Sequence, residues 1–67
     1  MAWRNHYTAP KPFLHYGETK GPGEFKGELD YPTKADAEAA ADDFLEWLST
    51  ARGVNGQHLG AFEEGEQ

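Results

Sequence analysis

The segment from Tyr31 to Gly53 decides the fold of this chain, and it reads YPTKADAEAAADDFLEWLSTARG. Apolar side chains recur in it every three or four residues, which is the spacing that places them on one side of an α-helix. Thr33 suits the N-cap, because its hydroxyl accepts a hydrogen bond from the first turn. Gly53 suits the position just beyond the last turn, where a left-handed conformation is common. The segment therefore predicts one capped amphipathic helix.

The two sides of the predicted helix differ in chemistry. The apolar stripe, which needs other elements to cover it, consists of Ala37, Ala40, Ala41, Phe44, Leu45, Leu48 and Ala51. The opposite side carries the carboxylates of Asp36, Glu38, Asp42, Asp43 and Glu46, with Trp47 at the border. Like charges one turn apart slightly destabilise an isolated helix. Because helix stability alone does not favour a side with a single sign of charge, this side is the first candidate for a partner-binding surface.

Three segments before the helix are predicted to be β-strands. Residues 3–8 alternate between apolar and polar side chains, residues 13–18 do so less regularly, and residues 24–31 alternate strictly. In the last segment the face expected on the core consists of Phe25, Gly27, Leu29 and Tyr31. We therefore predict an α+β fold in which a three-stranded antiparallel meander packs on one C-terminal amphipathic helix, in the order βββα.

The residues after the helix are expected to contribute less. In residues 57–62, Leu59 and Phe62 are expected to dock back as a short edge strand or an irregular closing segment. Residues 63–67 hold three acids and no apolar side chain, so we expect a frayed acidic tail. Residues 1–62 are thus predicted to form a single small domain, which suits a chain of 67 residues.

Composition limits how the chain is stabilised and where it works. It has no cysteine, which excludes disulfides and thiolate zinc sites, and nine aromatic residues supply the core instead. No apolar run approaches the roughly 20 residues of a membrane-spanning helix. The N-terminus has no hydrophobic signal region. The expectation is a cytoplasmic protein without membrane contact.

The net charge of −6 is unevenly placed along the chain. Residues 1–27 hold four basic residues (lysine or arginine) and two acidic ones. Residues 28–67 hold two basic residues and ten acidic ones. An acidic surface is repelled by phosphates and attracted to the basic surfaces that bind nucleic acid. We therefore expect a small non-enzymatic interaction protein, such as a phage or mobile-element inhibitor. Its acidic helix side would dock on a larger protein as a mimic of nucleic acid.

Two alternatives remain open. The first is a weak DNA- or RNA-binding module whose sheet surface combines basic and aromatic side chains, at Arg4, His6, Tyr16, Lys20 and Lys26. This alternative predicts that affinity for nucleic acid falls steeply with salt concentration, because each phosphate contact releases counterions. The second is a structural subunit or homodimer that buries aromatic side chains such as Trp3 and Trp47.

The run from Tyr31 to Glu38 is similar to the strand-to-helix junction of the arm-type DNA-binding modules of phage integrases and of some plant DNA-reading domains. Those modules also pack three strands on one helix, so the resemblance implies the fold. It covers eight residues and carries no function by itself. The predicted third strand departs from their basic strand face, because its exposed side includes Glu24, Glu28 and Asp30.

No catalytic or metal-binding pattern is expected. His6 and His15 fall on strands predicted to be adjacent, and two facing histidines with an acid can bind zinc, but their spacing matches no closed zinc motif. Ser49 and Thr50 have no base at a defined offset. The turn at residues 21–23 precedes a strand, whereas phosphate-binding loops open a helix. We therefore predict no enzyme activity and no cofactor.

Overall fold

The computed structural model of the chain describes residues 2–64. Their elements, in chain order, are β1 (Ala2–Ala9), β2 (Phe13–His15), β3 (Glu18–Lys20), β4 (Gly23–Tyr31), α1 (Lys34–Arg52) and β5 (Gln57–Glu64). The strands β4, β1 and β5 form an antiparallel sheet in that order, and α1 packs against it. The strands β2 and β3 form a separate two-stranded sheet. The predicted α+β class, with a three-stranded antiparallel sheet and one helix, is confirmed.

The helix α1 begins and ends where the sequence predicts. Thr33 is the N-cap in extended conformation, and its Oγ1 accepts a hydrogen bond of 3.1 Å from the backbone N–H of Asp36. Gly53 closes the other end in a left-handed conformation with φ of 67°. Its N–H donates to the carbonyl of Ser49 at 3.1 Å, which satisfies part of the last turn. Both ends of the helix are therefore defined by local side-chain and backbone chemistry.

The sheet is not the predicted meander of consecutive strands. Residues 13–18 do not form one strand, because Tyr16 and Gly17 take positive φ values of 52° and 75° and turn the chain back. His15 then pairs with Glu18 across this two-residue turn, a geometry typical of tight hairpins. The resulting β2–β3 hairpin lies outside the main sheet, and β1 is central, paired with β4 on one side and β5 on the other.

The strand β5 is longer than the predicted closing segment, and it follows the helix, so α1 is not the last element. Glu63 and Glu64, expected in a frayed tail, pair with Trp3 and Ala2 of β1. Backbone hydrogen bonds hold this strand irrespective of its side chains, and charges on an edge strand protect it from further pairing. The rest of the expected tail, residues 65–67, lies outside the described residues.

Two irregularities in strand pairing change which apolar side chains are buried. Between Arg4 and His6 the register of β4 shifts, and Leu29, expected on the core face, is 55% exposed. Between His6 and Tyr7 the register of β5 shifts by one residue, and Leu59 is 46% exposed. Extra residues in one strand re-aim side chains in this way. Alternation therefore assigned Leu29 wrongly, and the expected docking of Leu59 was also wrong.

The core lies between α1 and the sheet and reaches under the hairpin. Its buried apolar residues are Tyr7, Ala9, Phe13, Ala37, Ala41, Leu48, Val54 and Ala61. Phe44, Leu45 and Ala40 of the predicted helix stripe are half-buried, whereas Ala51 is exposed near the end of the helix. Phe62, expected to dock on the core, is 50% exposed. No helix among residues 2–64 combines the length and apolar character that a bilayer crossing requires.

Candidate functional site

The acidic helix face, consisting of Asp36, Glu38, Asp42, Asp43 and Glu46, is exposed at all five positions. It lies on the side of α1 away from the sheet, because the buried residues of the helix are Ala37, Ala41 and Leu48. These three contacts and the two caps hold the helix against the sheet. The carboxylates therefore form a continuous acidic surface on a well-supported element.

The carboxylates of the acidic helix face make no ion pair within residues 2–64. The basic side chains that contact carboxylates are Arg4, His6, Lys20 and Lys26. Their partners are Asp30, Glu18, Glu28 and Glu64. Positive charge is thus compensated on the sheet and hairpin, whereas the negative charge of α1 is not. A single-sign surface of this kind attracts basic partners over several ångströms.

Trp47 belongs to the inner side of α1. Its ring lies 5.8 Å from the ring of Phe44 and 5.3 Å from that of His15. The guanidinium of Arg52 stands 4.9 Å from the centre of the same ring and donates a hydrogen bond of 3.2 Å to the carbonyl of Leu14. Trp47 therefore joins the helix to the hairpin instead of extending the acidic helix face.

The residues of the alternative nucleic-acid surface fall into two groups. Arg4, His6 and Lys26 lie on the open face of the sheet, where His6 and Lys26 are direct partners across β1 and β4. Tyr16 and Lys20 belong to the β2–β3 hairpin, on the side of the sheet that α1 covers. The structure does not bring all five together.

The electrostatics of the open sheet face are close to balanced. Arg4 contacts Asp30 at 2.6 Å, while Lys26 and His6 lie 3.7 and 3.8 Å from the carboxylate of Glu64. Arg4 and Lys26 therefore each have a carboxylate nearby, which competes with any phosphate. This arrangement weakens the case for a nucleic-acid surface.

The three histidines occupy separate surroundings. His6 packs on Phe62 with ring centres 4.7 Å apart, on the open face of the sheet. His15 lies on the other side, beside Tyr16 and Phe44. His6 and His15, considered as a zinc pair, therefore do not face each other, because the strands that carry them belong to different sheets. Among residues 2–64 no group of three or more histidines and acids is placed to hold a metal ion.

Asn5 is the buried polar residue at the centre of the sheet, with 2% of its surface exposed. Its Nδ2 donates to the carbonyl of Ala37 at 2.8 Å, and its Oδ1 lies 2.9 Å from Nε2 of His58. These two contacts tie β1 to α1 and to β5. The alternation of residues 3–8 puts Asn5 on the same strand face as Trp3 and Tyr7, but it does not identify the histidine that satisfies this amide.

A small cavity that the sequence did not predict lies between the hairpin, the sheet and α1. It has a volume of about 150 Å³. Six rings line it, those of Tyr7, His15, Tyr16, Phe25, Tyr31 and Phe44. The alternation of β1 and β4 placed Tyr7, Phe25 and Tyr31 on one face, which is the available sequence signal. The cavity itself depends on the hairpin and on the irregular part of β4, which pattern alone does not reveal.

Trp3 and Trp47, expected to be available for a dimer interface, are both half-buried. The large apolar side chains exposed within residues 2–64 are instead Leu14, Tyr16, Leu29, Leu59 and Phe62. They are distributed over the hairpin, β4 and β5.

No protein-family model, curated protein or solved structure matches this chain. A fold does not by itself determine an activity. Function is therefore inferred from the surfaces and the cavity described above.

Proposed function

We propose that this chain is a small, cytoplasmic, non-enzymatic interaction protein that docks its acidic helix face on a basic surface of a larger protein. An inhibitor carried by a phage or mobile element would act in this way, by occupying a surface that otherwise binds nucleic acid. One observation carries the proposal: five exposed carboxylates on one helix lack any ion pair within residues 2–64, while the cations of the sheet and hairpin contact acids.

The spacing of the carboxylates suits a regular array of cations. Glu38, Asp42 and Glu46 follow one another at intervals of four residues, so each is displaced by about 6 Å along the helix axis. Because α1 is capped at Thr33 and Gly53, the array is held in place before binding. Less conformational entropy is then lost on association than with a flexible acidic segment.

The test compares two triple variants of equal charge. The helix triple replaces Asp42 and Asp43 with Asn and Glu46 with Gln. The control triple replaces exposed acids elsewhere, at Glu18, Glu24 and Glu63, with Gln. Both remove three negative charges, and both keep the size of each side chain. A difference between them therefore reports position and not net charge.

The probe is purified linker histone, a lysine-rich DNA-binding protein, carrying a fluorescent duplex. The wild-type chain and the control triple are expected to displace the duplex at similar concentrations. The helix triple is expected to need an about tenfold higher concentration to displace the duplex. It loses three exposed ion pairs with the probe at about 0.5 kcal/mol each, and their sum corresponds to about a tenfold change in affinity. Equal loss of displacement in both triples would contradict the assignment to α1. Failure of the wild type to displace the duplex would contradict the proposal itself.

A further inference from the structure

The cavity between the hairpin, the sheet and α1 has the dimensions of a small-ligand site. Its volume of about 150 Å³ is close to that of an engineered apolar cavity that holds one benzene molecule. Its wall is continuous, because the ring centre of Phe44 lies 4.6 Å from that of Tyr7 and 5.2 Å from that of His15. Tyr16, with its ring 4.5 Å from His15, is 70% exposed and forms the rim. The cavity is therefore open to a solute.

Two polar side chains that line the cavity, those of Asn5 and Glu28, already have partners. Asn5 is bonded through both ends of its amide, to Ala37 and to His58. Burial raises the pKa of Tyr7 to about 12, which keeps its phenol uncharged. Within residues 2–64, Nδ1 of His15 is the lining atom that is buried without a hydrogen-bond partner. A ligand with many donors and acceptors would leave several of them unsatisfied here.

Glu28 is the charged residue of the lining, and its carboxylate is paired with the ammonium of Lys20. The hydrogen bond from Lys20 lowers the pKa of that carboxyl, so it is ionised at neutral pH. Burial lowers the pKa of His15, so this ring is predominantly neutral there. No lysine or arginine lines the cavity among the described residues. With Glu28 paired and His15 neutral, the lining among the described residues offers no free positive charge to an anion, whereas its aromatic rings attract a cation.

We propose that this cavity binds a quaternary methylammonium group, either on a small molecule such as choline or on a trimethylated lysine side chain. Such a group is a compact, weakly hydrated cation that has no N–H to satisfy, and aromatic rings attract it through their electron-rich faces. The rings of Tyr7, Tyr16, Phe25 and Phe44 line the cavity, and the carboxylate of Glu28, paired with Lys20, lies at its edge. A primary ammonium is less suited, because it brings three N–H donors, whereas Nδ1 of His15 is the buried lining atom left without a partner among the described residues.

The test is a titration of the full ¹⁵N-labelled chain followed by amide chemical shifts. The ligands are choline, its uncharged isostere 3,3-dimethylbutan-1-ol, and acetylated trimethyl-lysine amide. We expect saturable shifts at lining residues such as Gly27 and Tyr31, and affinity for choline at least about fivefold higher than for the isostere. Tighter binding of the lysine derivative than of choline would identify a methylated protein segment as the source. The reverse order would identify a free small molecule.

Two pairs of variants locate the site. Glu28→Gln is expected to weaken choline binding, whereas Glu18→Gln, which also removes a carboxylate contacting Lys20 but does not line the cavity, is expected to leave it unchanged. Tyr16→Leu should weaken binding at least threefold, and Tyr16→Phe should retain it, because only the latter keeps the ring. Tyr16 is exposed enough that neither change threatens folding.

Absence of saturable shifts with both cations would overturn the proposal, as would equal affinity for choline and the uncharged isostere. Equal effects of Glu28→Gln and Glu18→Gln would show that net charge, and not this cavity, is responsible. The outcome is independent of the proposed docking of α1, because none of the carboxylates on the acidic helix face lines the cavity. The helix triple is accordingly expected to bind choline like the wild type.

Discussion

His15 shows how a single half-buried ring makes this fold sensitive to pH. Burial among aromatic rings lowers its pKa below the ordinary value of 6.5, and the charges of Lys20 and Arg52 act in the same direction, while Glu28 opposes them. As pH falls through 6.5 the unfolded chain takes up a proton at this residue before the folded chain does. The unfolded state then binds more protons, so the free energy of unfolding decreases with falling pH until the folded protein is protonated too.

We predict that replacing His15 with Gln reduces the loss of stability on acidification. The free energy of unfolding, measured in urea at about pH 7.5 and about pH 5, should fall less in the variant than in the wild type, because the variant lacks this linkage. His6 and His58 are present in both proteins, so their contributions largely cancel. An equal or larger fall in the variant would show that protonation of His15 does not oppose folding.

Individual residues also show where the sequence pattern predicts correctly which side chains are buried. The alternation of residues 3–8 put Asn5 and Tyr7 on one face of a strand, and both are buried. Leu29 was placed on the core face by alternation and Leu59 was expected to dock back, but both are exposed, because each lies beside a register shift that depends on the partner strand. Side-chain direction is thus predictable where pairing is regular and unpredictable at a bulge.

Among the elements, α1 was the most predictable and β5 the least. The caps and period of α1 are local properties, so the segment from Thr33 to Gly53 contains all the information needed. The strand β5 contains glycine and acids, and it exists because β1, whose residues lie 49 to 62 positions before their partners in the chain, offers an unpaired edge. The acidic helix face could be located from the sequence for the same local reason, whereas the cavity could not, because β2, β4 and α1 meet only in the fold.

Asn5 connects three elements, and its loss is predicted to loosen all of them. Replacing it with Ala should lower the free energy of unfolding by about 1–3 kcal/mol, because Nε2 of His58 loses its partner inside the protein. The control is Arg4→Ala on the open face of the same strand, where an exposed ion pair contributes about 1 kcal/mol or less. Urea unfolding of both variants checks the prediction. A smaller effect at Asn5 than at Arg4 would contradict it.

The molecule as a whole separates its charges between two sides. Acids that make no ion pair within residues 2–64 occupy the outer side of α1, while the open side of the sheet holds basic groups within reach of carboxylates. This separation of charge is the reason for proposing that the acidic helix face docks on a basic protein.

Direct binding to nucleic acid distinguishes these two surfaces most clearly. Fluorescence anisotropy of labelled duplex and single-stranded DNA, titrated with the wild-type chain at about 50 mM and about 200 mM salt, reports any phosphate contact through its salt dependence. The charge distribution predicts no binding even at the lower salt concentration. Binding that weakens steeply between the two concentrations would contradict it and would assign the contact to the sheet around Arg4 and Lys26.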